Sequence, residues 1–414
     1  MKPNNFFAFY LLLTTQTVSL IGSRMTAISL GLWLFTRTGS ATPLLLTSFF
    51  NELPGMLFGS FIGVLIDRWD RKAVLILADA GQALGTLILL WSVATDNFQI
   101  GILYTVAFVQ GAFAAFQGPA KDATTTLLVN EEQRERANGI QQVAFPLAGV
   151  VAPVLAAALY LSLGLANIMM VDLITFIIAV IAVALVHIPR PTHTAISPTN
   201  IVQDYFEGFR FLNQHRPLLY FILFLISTHF LLNGPLELSI PYLISMTQNE
   251  SLTAQIMGAM SGGAFAGAIV ISIWGGTRPR MHTVLIGFLI TGAMFFIYAV
   301  ARTPLWLAAS IFLLMLPLPI TNALAISIFQ LKTPPQMQGR VFSTFSQLAL
   351  LASTSSFLFT ALIADNVIRP EAQVSSIGTL LIVTGAMILL VTTIASMSSP
   401  IRHLEKLLPD YING

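Results

Sequence analysis

The sequence predicts an all-α polytopic membrane protein with twelve transmembrane helices in two six-helix, pseudo-symmetric bundles. Three observations carry the prediction. Hydrophobic residues make up 55% of the 414-residue chain and charged residues only 9%, with a mean hydropathy of +0.79, more apolar surface than a soluble fold can bury. Apolar runs of about 18 residues or more recur along the whole length, each able to cross a hydrocarbon core of ~30 Å as a helix. The basic residues collect in alternate connections between these runs, as the positive-inside rule requires. The net charge of +2 therefore points to no nucleic-acid partner. The absence of cysteine excludes a disulfide framework and any thiolate site.

The first run, 6–34, follows a short start with one charge, Lys2, and is far longer than the apolar core of a signal peptide, so it is expected to remain as the first span. Charged or Pro/Gly-rich interruptions place the next spans at 43–66, 73–93, 99–117, 139–162 and 164–187, with the last two divided only by Leu161–Gly164. A polar connection follows, and then spans at 218–246, 252–275, 283–301, 305–330, 340–362 and 375–397. The expected organisation is an N-terminal bundle (1–190), a cytoplasmic linker with a short interfacial helix (191–217), a C-terminal bundle (218–400) and a cytoplasmic tail (401–414). Within the linker, Ile201–Leu212 mixes aromatic residues with Asp204, Glu207 and Arg210, which suits a helix lying in the membrane interface or a solvated linker helix.

With the N-terminus inside, 16 of the 20 basic residues fall on the cytoplasmic side, and only Arg37, Arg302 and Arg369 fall outside. Both termini are thus expected in the cytoplasm. The two halves echo each other weakly: 67–76 (DRWDRKAVLI) and 277–286 (TRPRMHTVLI) each follow the second span of their half. Duplication of this kind is a mark of secondary transporters.

The loop after the second span reads Gly63-Val-Leu-Ile-Asp67-Arg68-Trp69-Asp70-Arg71-Lys72. A carboxylate at Asp67 can stabilise the exposed N–H groups of a neighbouring helix start, such as one near Gly339. Arg68, Arg71, Lys72 and Arg340 can then form a charge cluster with Asp70 and Asp122, a latch that holds in one conformation and releases in another. The alternative is a set of ordinary positive-inside anchors. This loop resembles the signature G-x-x-x-D-R-x-G-R-K of the major facilitator superfamily, with Asp70 in place of the second glycine. Thr38-Gly39-Ser40, Phe116-Gln117-Gly118-Pro119-Ala120 and Gly339-Arg340-Val341-Phe342-Ser343 resemble the branch of drug:proton antiporters that includes macrolide efflux proteins. Gly149-Val150-Val151-Ala152-Pro153 partly resembles the antiporter motif of the fifth span but lacks its glycine before proline.

Charges inside the spans are costly, about 2.5–3.5 kcal/mol each at mid-membrane on insertion scales. They are Arg24, Glu52, Asp79, Asp172 and Glu237. Arg24 and Glu52 lie at similar depth on adjacent spans and can pair. A carboxylate facing an arginine stays ionised, and one left in apolar surroundings takes up a proton, so Glu52 is the first candidate for proton coupling and Arg24 its charge partner. A permanent structural ion pair is the alternative. Glu237, between Pro235 and Pro241 in a span expected to break and bend, and His229, whose side chain ordinarily titrates near neutral pH, are further candidates. Asp79 lies near the cytoplasmic face and reads as structural. Asp172 resembles a common family residue of the sixth span.

The resemblance implies that spans one, four, seven and ten line a central cavity, with Gln16, Ser23, Gln110, Asn233 and Asn322 around it. Thirty phenylalanines and fourteen methionines can supply an adaptable wall for a bulky apolar substrate. The chain has no nucleotide-binding loop, no zinc-hydrolase or nucleophile-elbow motif and no histidines at metal-ligand spacing. It is therefore expected to need no cofactor or metal and not to be an enzyme. The expected function is proton-coupled efflux of bulky amphipathic or lipophilic, macrolide-like compounds by alternating access. The partners are the substrate, protons and membrane lipids, and a monomer in a prokaryotic plasma or inner membrane is expected. A lysophospholipid or siderophore transporter, with or without proton coupling, and a non-transporting receptor are the alternatives.

Because the chain has no native cysteine, the topology can be read directly. Single cysteines at Ser40, Asn97 and Asn249 should react with an impermeant maleimide on intact cells, and one at Asn138 should not. Labelling at Asn138 would reverse the orientation.

Overall fold

Lipid offers backbone N–H and C=O groups no hydrogen-bond partner, so a spanning segment must satisfy them internally. The computed structural model describes residues 6–130, 133–188, 201–368 and 373–411, and there the chain forms helices and connections with no strand. The helices are α1 (Phe6–Thr38), α2 (Thr42–Arg68), α3 (Arg71–Ala94), α4 (Ile100–Leu128) and α5 (Arg134–Leu185), then α6 (Ile201–Gln214), α7 (Arg216–Glu237) and α8 (Ser239–Thr247). They continue with α9 (Glu250–Trp274), α10 (Arg280–Val300), α11 (Pro304–Met315), α12 (Pro317–Lys332), α13 (Pro335–Val367), α14 (Gln373–Met397) and the short α15 (Ser399–Arg402) and α16 (Leu404–Leu407). They gather into two compact units, one of Met1–Gly39 with Leu46–Ile196 and the other of Ser40–Leu45 with Ser197–Gly414.

Among the described residues ten stretches are long and apolar enough to cross a membrane, with α7–α8 and α11–α12 each counting as one. The other two expected spans lie on α2 and on the first half of α5, where many side chains fall outside the described residues; the apolar helix found in the latter is the shorter Leu147–Tyr160. At 1.5 Å per residue a straight 52-residue α5 would be about 78 Å long, more than twice a bilayer core. It is not straight. Gly164 leaves the helical region, at φ 73° and ψ 169°, a conformation that needs glycine. The break falls at the boundary read from Leu161–Gly164.

In α3 polar side chains join Val74, Leu75 and Leu89 on the buried face while large apolar ones are exposed. Leu77, Leu84 and Trp91 repeat every seven residues and are exposed, whereas Asp79, Thr86 and Ser92 are buried. Such a helix turns its apolar stripe to lipid and its polar groups to its neighbours. Contact between helices relies on glycine. A Cβ at Gly111 of α4 would lie 1.9 Å from the Asn51 carbonyl oxygen of α2. Gly263 and Gly267 of α9 sit equally tightly on the Phe312 and Leu316 carbonyls at the α11–α12 junction, where a Cβ would come within 2.2 and 2.0 Å. Small residues at this spacing let backbones approach to van der Waals contact, which drives helix association in lipid.

In the first unit α1 packs along α5, and α3 lies against both α4 and α5. In the second, α13 packs on α7, α10 on α12 and α14, and α9 on α11. Residues 191–200 of the expected linker are outside the described residues; its helix α6 packs on α13, and Gly208 fits against Arg340 and Thr344. The chain end is held to the same unit. Lys332, only 3% exposed, donates from Nζ to the carbonyls of Glu405 and Leu408, each at 2.6 Å, and pairs with Asp410 at 2.7 Å. The Met281 N–H, near the start of α10, donates to the Glu405 carboxylate at 3.0 Å, taking up a helix-end donor that has no intrahelical partner.

Lys332→Ala removes these three contacts and leaves two part-buried carbonyls without their donor. It is expected to cost about 2–3 kcal/mol, read as a lower Tm in detergent together with faster proteolysis after residue 400.

Candidate functional site

The intramembrane carboxylates organise the first unit. Asp79 of α3 is fully buried and accepts from Gln16 Nε2 of α1 at 2.6 Å and from Gln117 Nε2 of α4 at 2.5 Å. Gln117 also donates to Gln16 Oε1 at 3.3 Å, so three helices meet on one carboxylate. Lys121, one turn beyond Gln117, acts electrostatically on the same group. A cavity of about 50 Å³ adjoins Gln16 and Lys121, with Leu12, Leu75 and Thr124 in its walls. That is room for ordered water and not for a drug-sized molecule.

Asp172, in the second half of α5, is 1% exposed. It accepts from Ser23 Oγ at 3.1 Å and from Thr86 Oγ1 at 3.3 Å. Gln110 of α4 donates to Thr86 Oγ1 at 3.2 Å and to the Gln82 carbonyl at 2.9 Å. A second network thus links α1, α3, α4 and α5. Gln16, Ser23 and Gln110, which the resemblance placed around a cavity, are all engaged in these two networks.

The other candidates lie elsewhere. Arg24 is half-buried on α1 with its guanidinium beside Gly149, where a Cβ would lie 2.8 Å from Nη1. Glu52 is half-buried on α2, next to Asn51, whose amide donates to the Ala107 carbonyl at 3.3 Å. Glu237 ends α7, and the helix breaks at Leu238, between Pro235 and Pro241, before resuming as α8. His229 meets the Phe345 ring edge-on at 6.3 Å, and Asn233 donates to the His229 carbonyl at 2.7 Å. Asn322 is exposed on α12.

The charged loop is built on backbone contacts. Gly63, Asp67 and Arg68 are on α2, but their side chains are outside the described residues. Asp70 is the N-cap of α3: its carboxylate accepts from the Lys72 N–H at 2.9 Å, the task for which Asp is among the preferred residues. This gives the departure from glycine a physical reason. Arg71 Nη1 donates to the Ala123 carbonyl of α4 at 2.8 Å. Lys72 Nζ donates to the carbonyls of Ala184 and Val186 at 2.5 and 2.9 Å, capping the negative end of α5. Trp69 stacks on Phe116, with centroids 6.0 Å apart and planes 11° apart. The loop and the Phe116–Ala120 motif therefore meet in one structure. Asp122 is exposed on α4. In the second unit Arg340 pairs with Glu207 of α6 at 2.6 Å.

By sequence alone Asp79 and Asp172 are single charges; the structure adds their amide and hydroxyl partners. The available signal was polarity at matching depth, since a buried carboxylate in lipid requires donors and Gln16, Gln117, Ser23 and Thr86 are the polar residues facing it.

A multi-helix membrane fold with polar networks inside and apolar stripes outside defines a solute transporter of the secondary-active kind once its relatives are considered. The chain belongs to the Major Facilitator Superfamily, which it matches over residues 12–354. It is a transporter homologous to drug and solute efflux proteins, not an enzyme. It is 29% identical to macrolide efflux protein A of Streptococcus pyogenes over 421 aligned residues, spanning 98% of this chain and 99% of that protein. It is 26% identical to the enterobactin exporter EntS of Shigella flexneri over 343 residues, 81% of this chain and 79% of that one. The crystal structure of the nucleoside transporter NupG superposes with a TM-score of 0.76 at 12% identity, covering 94% of this chain and 100% of that chain, a likeness of fold alone.

Replacing Asp79 with leucine strands the Gln16 and Gln117 amides. Asp79→Leu should lower stability by about 2–4 kcal/mol, seen as a Tm drop in detergent. Asp79→Asn, which keeps an acceptor, should lose less.

Proposed function

We propose that the protein is a proton-coupled exporter of bulky amphipathic or lipophilic compounds of the macrolide type. It works by alternating access through twelve spans, with both termini in the cytoplasm of a prokaryotic cell. The observation that carries this reading is the alignment with macrolide efflux protein A across nearly the whole length of both chains. A carrier of coupling protons must be reachable from water and must be able to change partners. Asp79 and Asp172 are fully buried and committed to hydrogen bonds between helices, so they serve as structural groups. Glu52 is only half-buried, which supports it as the proton carrier, with Arg24 as its charge partner and Glu237 and His229 as further titrating groups.

The latch comprises Gly63, Asp67, Arg68, Asp70, Arg71, Lys72, Asp122 and Arg340. Of its described members, Asp70 and Lys72 hold helix ends and Arg71 ties α3 to α4, which suits a rigid platform for the motion. Asn233 and Asn322 contact substrate, while Gln16 and Ser23 hold the two buried carboxylates in place and Gln110 holds Thr86, a partner of Asp172. Siderophore export is the second reading, favoured by the likeness to the enterobactin exporter over 81% of the chain.

Inside-out vesicles offered erythromycin, a catecholate siderophore or a lysophospholipid, with and without a pH gradient, separate these readings. Uptake of erythromycin that needs the gradient is expected. Glu52→Gln should abolish gradient-driven uptake while leaving substrate exchange intact. Accumulation by this variant at the wild-type level would move the proton site elsewhere, and uptake of the siderophore alone would favour the second reading.

A further inference from the structure

A groove of about 290 Å³ opens on the surface of the second unit between α7 and α14. Its walls are Tyr220, Leu223 and Phe224 of α7, Val391 and Ile394 of α14, and Ile401 of α15. Leu223 and Ile394 are 49% and 60% exposed, and both helices are apolar over membrane-spanning lengths, so this surface faces the hydrocarbon of the bilayer. A concave apolar slot there is open to the acyl chains of the bilayer.

One end of the slot is charged. The α7 wall residues recur at three- and four-residue spacing, and Arg216 continues that strip one turn before Tyr220. On the facing side Ser398 lines the groove, and the Arg402 N–H bonds to the Ser398 carbonyl at 2.9 Å, so Arg402 continues the strip by one helical turn. Both arginines are exposed. Arg280, Lys332 and Arg340 of the same unit each have a carboxylate within 4.0 Å. Among the described residues Arg216 and Arg402 have no such carboxylate. Two exposed arginines that helical spacing sets at one end of an apolar slot match one ligand, an anionic phosphate with an acyl chain attached. Basic sites between membrane helices bind anionic head groups in this way.

The geometry points to a binding site for an anionic phospholipid of the surrounding bilayer, with its phosphate between Arg216 and Arg402 and an acyl chain along the α7–α14 groove. The lipid is a resident ligand, separate from the transported substrate, and it ties the start of α7 to the end of α14.

Delipidated protein in detergent, titrated with phosphatidylglycerol or phosphatidylcholine and read by native mass spectrometry, tests the assignment. Wild type should bind phosphatidylglycerol about tenfold or more tighter than phosphatidylcholine. The double variant Arg216→Ala/Arg402→Ala should bind phosphatidylglycerol about twenty-five-fold more weakly, taking roughly fivefold per arginine, and should weaken phosphatidylcholine, whose phosphate is offset by its choline charge, by only about two- to threefold, so that the preference between the two lipids disappears. The double lysine variant should keep most of the preference. Ser227→Trp, which fills the groove, should reduce binding of both lipids. If that variant melts early, the exposed arginine pair still decides, provided its lipid-free Tm equals that of wild type. Equal binding of the two lipids by wild type, or a preference that survives the double alanine change, would overturn the site. So would displacement of phosphatidylglycerol by erythromycin, or a dimer forming as the lipid is removed, since either assigns the groove to another occupant.

Discussion

A carboxylate placed in hydrocarbon must be given hydrogen-bond donors by the protein, and that requirement organises the first unit. Asp79 draws Gln16 of α1 and Gln117 of α4 onto α3, and Asp172 draws Ser23 of α1 and Thr86 of α3 onto α5. In lipid, helices gain nothing from burying leucine against leucine, because the tails are equally apolar. Two carboxylates and the glycine contacts therefore do what a hydrophobic core does in water, holding particular helices in particular registers.

The same constraint governs the helix ends. The C-terminal carbonyls of α5 lack intrahelical donors, and Lys72 supplies them; the start of α3 lacks an acceptor, and Asp70 supplies it. The charges of the 67–72 loop thus have a local structural task whatever part they take in motion. In the second unit Lys332 and Glu405 do likewise for the chain end and the start of α10. Lys72 and Lys332 each meet two backbone carbonyls, so a single charge serves more than one helix-end group.

Where the helices break is equally physical. Pro235 and Pro241 bracket the interruption at Leu238, and Pro317 and Pro319 open α12, each proline removing an N–H from the helical ladder. The second of these junctions is held by Gly263 and Gly267, which let α9 approach its carbonyls closely. The interruption beside Glu237 lies at an element end, where backbone angles can change at low cost.

Much of the architecture was legible from the amino acids alone. Composition and run length established a polytopic helical membrane protein, because no other solvent accommodates such a chain. Proline placement located the α7–α8 break, Gly164 marked the division of α5, and the Asp67–Lys72 loop with its companion motifs pointed to the superfamily. Side-chain partnership was not legible. Gln16 and Asp79 are 63 positions apart, and Ser23 and Asp172 are 149 apart, so no local periodicity connects them. Gln16, Ser23 and Gln110 were placed by resemblance around a cavity, whereas the fold gives their amides and hydroxyl to buried networks. Lys332 looked like one more topological anchor until the returning tail set Asp410 against it. Sequence determined which segments must leave water, since that depends on the summed transfer free energy of each segment. Only the tertiary structure decided which polar groups meet, since that depends on the rotation and depth at which distant helices pack.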